Sequence, residues 1–136
     1  MKEGINMGLD NGIIVRGVKR KDLPRFMRYP FEQDYNNGVE ICYWRKWWGL
    51  RNQFLCGAFP NYNSNQYEFR LTEKNVAYMW SIVNNYLKYP GDWDNEYWEY
   101  DRHIRQILYE QKWNLTLLRW WMQRHPDVEV IFYDSY

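Results

Sequence analysis

The sequence predicts a mixed α+β fold, a small antiparallel sheet covered on one face by two or three helices. Three observations predict it. Short apolar runs occur near both ends of the chain, Ile13-Ile14-Val15 and the alternating Val128, Val130 and Phe132. Two long stretches between them carry apolar side chains at helical spacing. The chain has 136 residues, the length of one domain, with no internal repeat and no low-complexity linker.

A first strand is expected from Gly12 to Val18. The segment 16–28 carries Arg16, Lys19, Arg20, Lys21, Arg25 and Arg28 against one acid, Asp22. With Pro24 in it and Pro30 beyond, it reads as an irregular basic arm. Asn36-Asn37-Gly38 signals a turn. Val39 to Trp44 is a second strand, with Val39, Ile41 and Tyr43 alternating against Glu40 and Cys42. Trp47, Trp48, Leu50, Phe54 and Leu55 give a helical period from Arg45 to Leu55, ended by Gly57 and Pro60. A polar loop at 61–65 leads to a short third strand, Gln66 to Leu71.

Thr72 is a good N-cap for a helix from Glu73 to about Tyr89, with Val76, Met79, Trp80, Val83 and Leu87 on one face. Pro90-Gly91 stops it. A long helix is expected from Asp94 to Arg124, striped by Tyr97, Tyr100, Ile104, Ile107, Leu108, Leu115, Leu118 and Met122. Its start is acidic (Asp92, Asp94, Glu96, Glu99, Asp101) and its end basic (Arg119, Arg124, His125), as the helix dipole favours. Pro126 terminates it, and Val128 to Tyr133 forms the last strand.

Composition narrows the function classes. Aromatic residues are 21% of the chain, with nine Trp and thirteen Tyr, so rings must supply much of the core and some of the surface. A net charge of +1 argues against a DNA mimic and against nucleic-acid binding driven by bulk charge. Cys42 and Cys56 form no CxxC pair, and no His lies at metal-ligand spacing. A reduced, cytoplasmic protein without metal or cofactor is expected. No apolar run approaches membrane-spanning length and no signal-peptide core is present, so no membrane partner is expected. Lys2-Glu3-Gly4 reads as a purine-rich ribosome-binding site, which makes Met7 the expected native start and residues 1–6 translated leader.

No catalytic residue is assigned. The chain has no Gly-x-Ser-x-Gly and no phosphate-cradling glycine loop. His103 reads as an i,i+4 partner of Glu99, and His125 as a helix-end residue. The acids of 92–101 lack the glycine turn and ligand spacing of a calcium loop. Binding residues are expected in two places. Gly8-Leu9-Asp10-Asn11-Gly12 is a tight turn that exposes backbone N–H groups. Tyr43-Trp44-Arg45-Lys46-Trp47-Trp48 brackets two cations with rings where a strand passes into a helix. The plain alternative puts Trp44 and Trp48 in the core and leaves Arg45 and Lys46 solvated. The candidate site is Asp10, Asn11, Glu40, Tyr43, Arg45 and Lys46, joined by Asp134 if the last strand lies beside the first two.

Met-Gly-Leu-Asp-Asn-Gly from Met7, Val39-Glu40 leading into Tyr43-Trp44-Arg45-Lys46, and Phe132-Tyr133-Asp134-Ser135 carry a resemblance. The chain resembles a loose group of small phage and prophage proteins that begin Met-Gly-Leu-Asp and carry Tyr-Trp-Arg-Lys before a helix. The similarity runs over most of the chain but is distinctive only in those three islands. It departs at Trp47-Trp48-Gly49-Leu50, where the group has a smaller, His-containing helix start. The resemblance implies a mobile-element origin and no particular activity.

From that origin the first expectation is a phage accessory protein in the host bacterial cytoplasm. It would bind and inhibit a component of bacterial immunity, as an anti-CRISPR or related anti-defence inhibitor does, its target being a host immune protein or a nucleotide signal. A second expectation is a nucleic-acid-binding module using the arm 16–28 with the Tyr-Trp-Arg-Lys junction. A third is a small metal-dependent enzyme in which Asp10, Glu40 and Asp134 converge. Exposed aromatics would also suit a homo-oligomer.

Overall fold

The computed structural model describes residues 9–28, 38–90 and 102–136. In chain order they form β1 (Asp10–Arg16), a 3-10 turn (Arg20–Asp22), β2 (Gly38–Arg45), α1 (Trp48–Ala58), β3 (Glu68–Arg70), α2 (Glu73–Lys88), α3 (Arg102–Arg124) and β4 (Glu129–Ser135). The strands make one antiparallel sheet in the order β2-β1-β4-β3. The α+β architecture expected from the sequence is what forms.

Alternation along each strand sorts side chains onto two faces. Ile13 and Val15 of β1, Phe69 of β3, and Val130 and Phe132 of β4 join the helix residues Leu50, Phe54, Val76, Met79, Leu108, Leu115 and Leu118 in the main core. The pairing of β1 with β2 slips between Ile13 and Ile14, and this bulge puts both Ile41 and Cys42 into that core. Phe54 and Phe132 meet at 4.9 Å between ring centres. Burial of each such ring stabilises the fold by roughly 1.5–3 kcal/mol. The opposite face carries a smaller cluster, Ile14, Ile131 and Tyr133, with Tyr43 against it.

Local chemistry sets the boundaries. Thr72 caps α2 as expected: its hydroxyl accepts from the Asn75 N–H at 3.2 Å, and the Asn75 side chain accepts from the Thr72 N–H at 2.9 Å. α1 starts at Trp48, not at Arg45, because Lys46 holds a left-handed φ of 57° that interrupts any helix through it. α1 also runs through Gly57 to Ala58; a side chain at Gly57 would collide with Tyr78. β1 begins earlier than expected and ends at Arg16.

The segment 16–28 is irregular as expected, apart from the 3-10 turn, and it is docked on the body of the protein. Leu23 and Met27 are buried in the main core, the indole N–H of Trp113 donates to the Phe26 carbonyl at 2.9 Å, and the Arg28 N–H donates to Asn114 at 2.8 Å. Arg16 pairs with Glu68 at 2.6 Å and with Glu129 at 3.5 Å. The expected leader 1–6, the turn at Asn36-Asn37 and the acidic helix start at 92–101, with the His103–Glu99 pair, lie outside the described residues. Among the described residues no helix is long and apolar enough to cross a membrane.

Candidate functional site

The register gathers the candidate residues at one end of the sheet. Asp10 stands opposite Arg45 on one side and Ser135 on the other. The next row is Trp44, Asn11 and Asp134; the next is Tyr43, Gly12 and Tyr133, with Glu68 beyond. Glu40 sits deeper, opposite Ile14. β4 does lie beside β1, so Asp134 reaches the others through strand pairing. The sheet divides these residues between two layers.

On the layer turned away from the helices, the Tyr43 hydroxyl donates to the Asp10 carboxylate. The Tyr133 hydroxyl donates to Glu40 Oε2 at 2.5 Å. Glu40 is only 2% exposed. Burial raises its pKa and the nearby Asp10 charge adds to this, while the Tyr133 hydrogen bond works the other way. The Tyr43 phenol is pushed up by burial, then by its bond to Asp10, so it remains a donor at neutral pH. Tyr133 can cross the sheet because its ring lies directly over Gly12, where a Cβ would come within 2.6 Å of the hydroxyl oxygen.

On the layer facing the helices, Asn11 Nδ2 donates to Asp134 Oδ1 at 2.8 Å and to the Tyr133 carbonyl at 3.2 Å. Arg51 of α1 completes this layer. Its Nη2 and Nε donate to Asp134 Oδ2 at 2.8 and 3.3 Å. Trp48, Tyr62 and Tyr136 surround the guanidinium, at 5.7, 6.0 and 5.3 Å from the ring centres. Burial alone would lower the Arg51 pKa; the hydrogen bonds and charge of Asp134 outweigh it and raise it. Asn11 Oδ1 and Trp44 Nε1, on facing residues of β1 and β2, are buried without a hydrogen-bond partner.

Arg51 was missing from the residues expected of the site. Its signal was a lone cation beside Leu50 and within a turn of Phe54 and Leu55, on the apolar side of a helix. A buried charge there requires a partner, although nothing local in the chain says that the partner is Asp134.

The layers correct the expectation of a metal-holding carboxylate cluster. Asp134 points to the helix side, whereas Asp10 and Glu40 bond tyrosines on the other side. Among the described residues no three His, Cys, Asp or Glu side chains are grouped so as to hold a metal ion.

At the β2–α1 junction Trp44 is buried, Arg45 is exposed, and Lys46 is half-buried with its N–H donating to the Leu9 carbonyl at 2.6 Å. Trp47 lies in the core, and Trp48 is only half-buried, where the plain alternative put it in the core. A cleft of about 540 Å³ opens on the β3–β4 side, lined by Tyr67, Glu68, Asp134, Ser135 and Tyr136. The basic segment 16–28 leaves the opposite end of β1 from this junction and docks on α3. His125 stacks on Trp121 at 4.1 Å, as a helix-end residue, and His103 is exposed on α3. Cys42 is buried and its thiol is pushed well up by burial, then by Glu40; Cys56 is exposed.

The fold and this two-layered sheet end define an α+β protein whose polar site is assembled by strand pairing. No family model, curated protein or solved structure matches the chain.

Proposed function

We propose that the chain is a phage or prophage accessory protein that binds and inhibits a component of bacterial immunity. It grips an acidic or phosphate-bearing surface of its target at the open end of the sheet. One observation carries the reading: each carboxylate of the site is already engaged from within. Asp10 accepts from Tyr43, Glu40 from Tyr133, and Asp134 from Arg51 and Asn11. Carboxylates satisfied in this way are poorly placed to activate water or take up a cation, which favours binding over catalysis. This end also presents exposed Arg45, half-buried Lys46 and Trp48, and the exposed rings of Tyr67 and Tyr136, beside the half-buried Asp10. Arg, Trp and Tyr are the residue types that dominate binding hot spots. The mobile-element origin rests on the resemblance of the three sequence islands.

The test is a plating assay. Bacteria carrying a defined immune system and expressing this chain should again be lysed by a phage which that system blocks. Arg45→Ala combined with Lys46→Gly should remove the rescue and leave the melting temperature nearly unchanged, since glycine suits the left-handed φ at position 46. Full rescue by the double variant would move the binding surface elsewhere. Loss of rescue with a large drop in melting temperature would make the junction structural.

A further inference from the structure

The corner where β2 passes into α1 is held against several local preferences. Among the described residues, Lys46 alone carries a side chain at a left-handed φ, 57°. A Cβ is disfavoured there. Two residues earlier, the Trp44 indole N–H is buried with no acceptor; on the facing residue of β1, Asn11 Oδ1 is buried with no donor. Buried polar atoms are nearly always bonded, so a donor and an acceptor both left over in one row of the sheet call for an explanation. α1 also starts uncapped: Trp47 makes no side-chain cap bond, and the first turn holds no acid. α2, by contrast, opens on the full Thr72–Asn75 box.

The sequence holds an alternative for the same residues. Trp47, Trp48, Leu50, Phe54 and Leu55 keep a helical period that begins before Trp48. Arg45 and Lys46 are good helix formers, and no glycine or proline stands between Trp44 and Trp48. In the structure the first turn of α1 closes with the Arg51 N–H on the Trp47 carbonyl. Starting α1 at Lys46 would return its φ to the right-handed region. It would also give the Gly49 and Leu50 N–H groups the Arg45 and Lys46 carbonyls as helical partners. What it breaks is the bond from the Lys46 N–H to the Leu9 carbonyl and the pairing of Arg45 with Asp10. Undoing those pairs loosens the next row, where the unbonded atoms of Trp44 and Asn11 then find partners in water or in each other.

We propose that residues 45–47 are a two-state junction. In the strand form, seen here, β2 runs to Arg45 and Lys46 turns left-handed; in the helical form, α1 begins at Lys46 and β2 ends at Trp44. The exchange stays local because the flanking elements are anchored: Ile41, Cys42 and Trp44 before the junction, and Leu50, Phe54 and Leu55 after it, all lie in the main core. Only the strand form places Arg45 in the end row of the sheet, opposite Asp10. The consequence for function rests on the reading of this end as the gripping surface: the junction decides whether that surface is assembled, and a target that binds the strand form draws the population toward it.

Relaxation-dispersion NMR on the full chain, free in solution, tests this. Microsecond-to-millisecond exchange is expected at the amides of 45–50 and at the Trp44 indole, and none at the capped start of α2. The minor-state Cα shifts of Lys46 and Trp47 should be helical. Lys46→Gly, which suits the left-handed φ, should lower the minor population about fivefold. Lys46→Val, whose branched Cβ is least tolerated at that φ, should raise it. Flat profiles at 45–50 in the unaltered chain overturn the proposal. Random-coil minor-state shifts do so too, because they make the corner a frayed end, as does a glycine variant that exchanges as strongly as the parent. The measurement needs no target, so the junction and the sheet-end grip can fail separately.

Discussion

Tyr133 and Glu40 are joined across the full width of β1: the phenol leaves β4, passes over Gly12, and donates to a carboxylate on β2 at 2.5 Å. Three strands are thereby tied by a side chain as well as by their backbone ladders. The bond also settles the use of a carboxylate that has only 2% of its surface exposed.

Gly12→Ala should therefore be costly for a surface-sized change. The new methyl group displaces the Tyr133 ring and with it the bond to Glu40, for an expected loss of about 3 kcal/mol in urea melts. Adding Tyr133→Ala should make the same Gly12→Ala change nearly neutral, since the ring it strikes is gone. Equal costs in both backgrounds would mean that Gly12 is needed for its backbone alone.

Glu40→Gln should stabilise the protein at neutral pH. The folded-state pKa of Glu40 is raised, mainly by burial. The folded state therefore holds a proton that the unfolded chain releases above about pH 4. Stability falls as pH rises from the unfolded to the folded pKa, and the deficit stays constant above it. Glutamine removes that deficit and still accepts from Tyr133. The advantage of the variant should be absent in acid, grow through the folded pKa and then level off. A difference independent of pH would remove Glu40 ionisation as its cause.

Breaking the Arg51–Asp134 pair from either side should cost more than removing it whole. Arg51→Met leaves Asp134 as a nearly unexposed charge, with a side-chain exposure of 2%, for an expected loss of about 3–5 kcal/mol. Arg51→Met with Asp134→Asn should recover much of that loss. A double-mutant cycle by chemical denaturation reads the coupling, and additive costs would show that the two groups act separately.

Trp44→Phe should be mild for so buried a residue. The indole N–H is buried without an acceptor, and deleting an unsatisfied donor relieves a penalty while most of the ring area remains. A change within about 1 kcal/mol is expected, against about 3–5 kcal/mol for Trp44→Ala. A phenylalanine cost approaching that of alanine would mean that the lost ring volume dominates.

The strands and helices were readable wherever one period held over several residues. Val39 to Trp44, the Thr72 cap and the spacing of Ile104, Leu108, Leu115 and Leu118 needed no knowledge of partners. The start of α1 was not readable, because Trp47, Trp48 and Leu50 keep a helical period straight through the left-handed turn at Lys46. Gathering Asp10, Asn11 and Tyr43 with Asp134 followed once β4 was set beside β1. The two layers did not follow, since which face a residue takes depends on register, and one bulge between Ile13 and Ile14 resets the parity of β2. Arg51 escaped because its partner lies far along the chain.

The contrast between the two cysteines has a practical side. Cys42 is packed inside the sheet with its thiol held protonated, whereas Cys56 stands exposed on α1. A maleimide dye should thus attach at a single address in the unaltered protein. That address lies little more than one turn beyond Arg51, so a labelled sample can report on occupancy of the sheet end.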